Sequence, residues 1–234
     1  MIPWLVADTP FPPVAQALRH PNGLLAAGGN LSATRLLDAY RHGIFPWFSA
    51  DEPLLWWSPD PRMVLMPDEF RVSRSLGKVL RKRMFGVSFD SAFEQVMREC
   101  AAPRTGHTGT WIHEEMVAAY RKLHEMGYAH SVEVWHGDEL AGGVYGVAIG
   151  RMFYGESMFS RRPNASKVAL ACLSRQFERW KYGMIDCQMY TPHLASLGAR
   201  LIPRDEFIIR LQELVNCAPV TEWRFDPDLF PEPA

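Results

Sequence analysis

Residues His130 to Ser160 constrain the fold more than any other part of this chain. His130-Ser-Val-Glu-Val-Trp-His136, a Gly137-Asp138 turn, Glu139 to Ile149, a Gly150-Arg151 turn and Met152 to Ser160 read as three consecutive antiparallel strands. Asn164 can then cap a long helix through Trp180, Gly183 stops that helix, and Met184 to Met189 forms a further strand. The pattern is that of an α+β protein, a sheet with helices laid on it.

The flanks are read the same way. Residues 1 to about 62 are rich in Pro, Gly and Trp and hold one amphipathic helix, Ser32 to Arg41, with Ser32 as its cap; the remainder reads as loops with aromatic anchors. We expect a small N-terminal domain over 1–62 and a larger one over 63–234. In the larger one, Val64-Leu65-Met66 is a short strand, Ser73 opens a helix ending near Arg83, and Val87-Ser-Phe is another strand. Ser91 to Cys100 has helical spacing with Phe93, Val96, Met97 and Cys100 inward, and a Gly/Thr loop follows. Glu114 to Met126 is a helix with Met116, Val117, Tyr120 and Leu123 as its stripe. A short helix spans Pro192 to Leu197, and Ile202-Pro203-Arg204 opens a last one to about Val215.

Bulk properties exclude some functions. The 234 residues carry a net charge of -1, so this is not an overall basic protein, although local basic patches remain open. Cys100, Cys172, Cys187 and Cys217 have no metal-type spacing and are read as reduced thiols of a cytoplasmic protein. No basic-then-apolar leader or long apolar run occurs, so secretion and membrane spanning are not expected. No metal is expected either: His113-Glu-Glu-Met-Val lacks a second histidine four residues on, and His124 and His130 are six apart. A Gly-rich phosphate loop is absent, and Gly142-Gly143 inside a strand reads as a bulge or a close backbone approach.

Polar groups inside apolar strands mark the candidate site. A carboxylate taken out of water costs several kcal/mol unless paired or hydrogen-bonded, which makes Glu156 and Asp186 conspicuous. Strand alternation puts Glu156, Met158 and Ser160 on one face, and Asp186 and Gln188 on another with Cys187 pointing away. Glu156 beside Gly155 and Met158 suits an amine held between a carboxylate and an apolar wall; the competing reading is an ion pair with Arg151, Arg161 or Arg162. Asp186 and Gln188 either bind a reacting ester and amine or hydrogen-bond a neighbouring loop. Trp47, Trp56, Trp57, Trp111 and Tyr120 either line an apolar pocket or fill the core. Arg71, Arg74, Lys78, Arg81, Lys82 and Arg83 occur with no acidic residue between them, and 71, 74, 78 and 81 would form one helical stripe about three turns long. That stripe suits phosphate binding or is a solvated face.

Several motifs carry a more specific message: Pro21-Asn-Gly-Leu-Leu, Gly43-Ile-Phe-Pro-Trp-Phe-Ser49, Trp56-Trp-Ser-Pro-Asp-Pro-Arg62, Gly109-Thr-Trp-Ile112, Gly155-Glu-Ser-Met-Phe-Ser160, Asn164-Ala-Ser-Lys167, Ile185-Asp-Cys-Gln188 and Ala195-Ser-Leu-Gly-Ala199. Through them the chain resembles, almost end to end, the leucyl/phenylalanyl-tRNA–protein transferase family. The resemblance implies a C-terminal domain similar to the GCN5-related N-acetyltransferase fold that does not use coenzyme A or another cofactor. It implies transfer of Leu or Phe, and less well Met, from aminoacyl-tRNA to proteins with N-terminal Arg or Lys, marking them for N-end-rule degradation. It further implies that Asp186 and Gln188 are catalytic, Asp186 polarising the Gln188 amide, and that Glu156 holds an amine. Trp47, Trp111, Tyr120 and Met158 would receive the transferred side chain, and the stretch from Arg71 to Arg83 would grip the tRNA acceptor stem.

Two rivals stand beside it. A coenzyme A-dependent N-acetyltransferase would need a pyrophosphate loop before the long helix, where Ser160-Arg-Arg-Pro-Asn164 stands instead. A non-catalytic RNA-binding module would not need Asp186.

Overall fold

The computed structural model describes residues 2–7, 9–102 and 110–229. The N-terminal part is not the loop region its composition suggests. Strands β1 (Trp4–Leu5), β2 (Leu24–Gly28), β3 (Phe45–Pro46) and β4 (Leu55–Trp57) form a small sheet in the order β1-β2-β4-β3. These strands have two to five residues, too few for an alternating pattern to show. Helix α1 (Ala33–Arg41) lies between β2 and β3, and Ser32 caps it by accepting the Arg35 N–H at 3.3 Å.

The larger sheet uses β5 (Arg62–Leu65), β6 (Gly86–Phe89), β7 (Ala129–His136), β8 (Glu139–Ile149), β9 (Met152–Ser160), β10 (Met184–Gln188) and β11 (Arg200–Ile202), in the order β11-β5-β10-β9-β8-β7-β6. The expected antiparallel run is β7, β8 and β9. Helix α5 (Ala165–Arg179) then crosses over, so β10 returns parallel to β9. The remaining helices are α2 (Arg74–Arg81), α3 (Phe93–Ala101), α4 (Glu114–Glu125), α6 (Pro192–Ser196) and α7 (Arg204–Val215). The Gly/Thr loop expected after α3 falls mainly on 103–109, outside the described residues. Strand β11, three residues long, is an addition to the sequence reading.

Asn164 does not cap α5 with its side chain. Its backbone is left-handed at φ 71°, and the Ser166 N–H instead reaches the Ser160 hydroxyl at 3.3 Å. The helix sits close on β8 because that strand is bare there. A Cβ at Gly142 would stand 2.6 Å from the Ala165 Cβ, and one at Gly143 2.8 Å from the Val132 carbonyl oxygen. A register shift between Val134 and Trp135 adds a bulge at the same place.

Apolar side chains fill both faces of the larger sheet. Tyr145, Val147, Met152 and Tyr154 pack towards α1, α3 and α4 in a core continuous with Leu25, Tyr40 and Trp56 of the N-terminal part. Val144, Ala148, Phe153 and Ile185 pack on the other face against α5, with Trp223 and Phe225 of the C-terminal segment.

Candidate functional site

The site arises where two parallel strands part. β9 and β10 are paired only from Met152↔Met184 to Tyr154↔Asp186, after which β9 continues along β8 and β10 ends at Gln188. The gap is a cavity of about 1130 Å³. Gly155 to Ser160 form one wall and Cys187 to Met189 another, with Phe45, Pro46, Trp47 and Trp111 closing it.

A bulge on each strand sets what faces the gap. The register between β8 and β9 jumps from Tyr145↔Ser157 to Gly146↔Gly155, leaving Glu156 unopposed. Strict alternation therefore fails here. Glu156 turns to the Tyr40 and Tyr120 side, whereas Met158 packs on the α5 side and Ser160 bonds the start of α5. A second shift, between Asp186↔Val64 and Gln188↔Met63, leaves Cys187 unopposed and places Gln188 at φ 55°. Cys187 consequently lines the cavity instead of facing away from it.

Glu156 is partly buried and is held by hydroxyls. Tyr40 Oη lies 2.7 Å from its Oε1 and Tyr120 Oη 3.0 Å from its Oε2, and the two hydroxyls also meet each other, so with the carboxyl ionised two hydroxyl protons are shared among the three contacts. The competing ion pairs do not form: Arg161 binds Glu99 and Arg162 binds Glu139, while the Arg151 guanidinium lies over the Tyr182 ring. Among the described residues no cation makes an ion pair with Glu156. Burial pushes its carboxyl up to about 7, against the pull of the two tyrosine hydrogen bonds. Burial and then the Glu156 charge likewise raise both tyrosines well above their ordinary value.

Asp186 lies behind the cavity wall. Its side chain is wholly buried and takes a two-point contact from Arg62, Nε to Oδ1 at 2.8 Å and Nη2 to Oδ2 at 2.7 Å. Its contact with Gln188 is to the backbone N–H, at 2.9 Å, and not to the side-chain amide that the resemblance led us to expect it to polarise. The bulge explains the difference, because it swings the Gln188 side chain into the cavity and leaves its N–H above Asp186. Arg62 escaped the sequence reading. Its signal was the one that drew attention to Asp186, a charge at the head of an apolar strand, Arg62-Met-Val-Leu65.

The apolar candidates divide. Trp47, 37% exposed, stands at the mouth with its ring edge against Trp57 at 5.5 Å, and Trp111 and Met158 line the cavity with it. Tyr120 does not line it; fully buried, it supports Glu156 from behind. Trp56 is core, its indole N–H on the Gly28 carbonyl at 2.8 Å.

The basic stretch is away from the cavity wall. Arg74, Lys78 and Arg81 share a face of α2, which at eight residues is shorter than expected, so Arg71 lies in the segment before the helix. Lys82 is the C-cap, and Arg83 has a left-handed backbone at φ 48°. All six side chains are exposed. None of Arg71, Arg74, Lys78, Arg81 or Lys82 forms an ion pair among the described residues. Among those residues there is also no group of three metal-ligating side chains, and no helix long and apolar enough to cross a membrane.

Comparison with known proteins adds a family context. Residues 64–212 match the family model for leucyl/phenylalanyl-tRNA protein transferase, and residues 29–60 match the model for its N-terminal domain. A leucyl/phenylalanyl-tRNA–protein transferase of Nitrosomonas europaea is 63% identical over 97% of this chain and 96% of its own length. One of Thiobacillus denitrificans is 65% identical over 92% of this chain and 95% of its own. Among solved structures, a GCN5-related N-acetyltransferase from Kribbella flavida overlaps 72% of this chain and 59% of its own, with a TM-score of 0.39 and 11% identity. Nothing about the reaction follows from so loose an overlap.

Proposed function

This chain belongs to the leucyl/phenylalanyl-tRNA–protein transferase family, a family of aminoacyltransferases, and from that premise we propose how its cavity works and on what. The donor is Leu-tRNA or Phe-tRNA, with Met-tRNA used less well. The acceptor is the α-amino group of a protein beginning with Arg or Lys, in the cytoplasm, and the product is marked for N-end-rule degradation. Residues 1–62 and 63–234 act as two domains in this reading; the chain passes from one sheet to the other between Trp57, the end of β4, and Arg62, the start of β5, within a few residues of that boundary.

The observation that carries the reading is the pairing of chemistries in one cavity. Trp47, Trp111 and Met158 offer an apolar surface, and Glu156 offers a carboxylate that makes no ion pair among the described residues. An apolar side chain and an amine therefore find complementary surfaces side by side. Discrimination of one methylene by such a surface amounts to only about 1–3 kcal/mol, which is why several apolar residues pass.

The transfer needs little acid–base power. The acceptor nitrogen attacks the ester carbonyl carbon, the bond to the ribose oxygen breaks, and the tRNA leaves with a free hydroxyl. An α-amino group of pKa about 7.7–8.0 is already roughly 10–20% neutral at pH 7. Holding amine and ester together can supply about 7–11 kcal/mol of the barrier, so positioning dominates. Glu156 orients an amine and takes up a proton near neutral pH. Gln188 hydrogen-bonds the reacting groups from the opposite wall, and Asp186 fixes Gln188 through its backbone. The exposed cations from Arg71 to Arg83 hold acceptor-stem phosphates without reading sequence.

The test is transfer of labelled leucine from Leu-tRNA to a protein beginning with Arg, beside the same protein beginning with Ala. Label on the Arg form alone is the expected result. Equal labelling of both would overturn the acceptor assignment, and binding of tRNA with no transfer would overturn the reaction.

A further inference from the structure

We infer that Arg62 is a positioning residue for the transfer, one guanidinium that ties the two opposite walls of the cavity together. The inference rests on the reading of that cavity as the transfer site. Arg62 is the first residue of β5 and is wholly buried. Two of its nitrogens meet the Asp186 carboxylate at 2.8 and 2.7 Å, and the third, Nη1, donates to the Gly43 carbonyl at 3.1 Å. The faces of the guanidinium are covered by Phe45 at 4.8 Å and Phe207 at 4.6 Å.

Each contact leads to a wall. Asp186 Oδ1 also accepts the Gln188 N–H at 2.9 Å, and Gln188 holds a left-handed backbone that a side-chain-bearing residue keeps only when its surroundings fix it. Gly43 makes the left-handed turn, φ 73°, between α1 and Phe45-Pro46-Trp47, the opposing wall. The distance between Gln188 and Trp47 is thereby set through one side chain. Lysine could not do the same, because a single ammonium has no planar fork to meet a carboxylate at two points and a carbonyl at a third. Glu133 shows the contrast: equally buried, it is satisfied by the hydroxyls of Ser88, Ser91 and Ser131 and is not part of the cavity lining.

The experiment compares wild type, Arg62→Lys, Asp186→Asn and the double variant in labelled-leucine transfer, with folding of each checked by circular dichroism. We expect R62K to lower kcat at least tenfold while KM for Leu-tRNA stays within threefold, since the exposed phosphate-binding surface is untouched. The double variant should be no slower than the slower single one. A folded R62K with wild-type kcat, or single effects that multiply in the double variant, would overturn the inference. Should R62K not fold, wild-type protein is titrated with phenylalanyl-adenosine carrying an amide in place of the ester. The Arg62 Nε–H and Gln188 amide NMR signals should then shift together, and a Gln188 shift without one at Arg62 would overturn the inference. Wild-type protein that transfers nothing would overturn the transfer reading and this inference with it.

Discussion

Two hydroxyls hold the Glu156 carboxylate where an ion pair would ordinarily stand, and the cost of that arrangement depends on pH. Its carboxyl is raised to about 7 in the folded protein, whereas an unfolded glutamate titrates near about 4.3. For a raised pKa, the folded state binds the proton more tightly, so the stabilisation is full below about pH 4 and is lost as pH rises through about 7. The ceiling on this effect is about 4 kcal/mol, lowered by water reaching the carboxylate from the cavity. Glu156→Gln should therefore melt above wild type at pH 8 and lose that advantage at pH 5, while transfer activity falls at both. A melting difference independent of pH would contradict the assignment. Cys187 makes a second residue-scale case. It lines the cavity, but burial and then the Asp186 charge push its thiol well up, so it is a poor nucleophile at neutral pH. Cys187→Ser should transfer leucine within twofold of wild type.

At the scale of elements, α2 and the packing of α5 on β8 make separate predictions. Replacing Arg74, Lys78 and Arg81 by Gln should raise KM for Leu-tRNA and leave kcat at saturating tRNA unchanged. The log–log salt dependence of tRNA binding should flatten by roughly 0.7–0.9 for each phosphate that is no longer neutralised. On β8, Gly142→Val would drive a side chain into Ala165 and should destabilise the fold by about 1–3 kcal/mol in urea titrations. The regular elements were legible in the sequence because their periods and caps are long enough to see, as in β7 to β9 and in α1 behind Ser32. The small N-terminal sheet was not, since strands of two to five residues carry no period. The site was legible as residue types and less so as geometry. Single-residue bulges at Glu156 and Cys187 leave no mark on composition, yet each reverses which neighbours share a face. The Arg62–Asp186 contact joins residues 124 apart in the chain, so only the folded sheet brings them together.

At the scale of the whole molecule, one cavity draws on distant stretches of chain, among them Phe45 to Trp47, Trp111, Gly155 to Ser160 and Cys187 to Met189. The continuous core under the N-terminal sheet and the larger sheet holds these stretches in register. In the proposed reading this cavity holds amine and ester together for direct transfer, with no aminoacyl group stored on the protein. The measurement that bears on this most directly is a single-turnover rapid-quench experiment with labelled Leu-tRNA, excess protein and a peptide beginning with Arg. Label should pass from tRNA to peptide in one phase, with none on the protein at any time. Labelled protein that appears before labelled peptide, and decays as the peptide forms, would contradict direct transfer in a shared cavity.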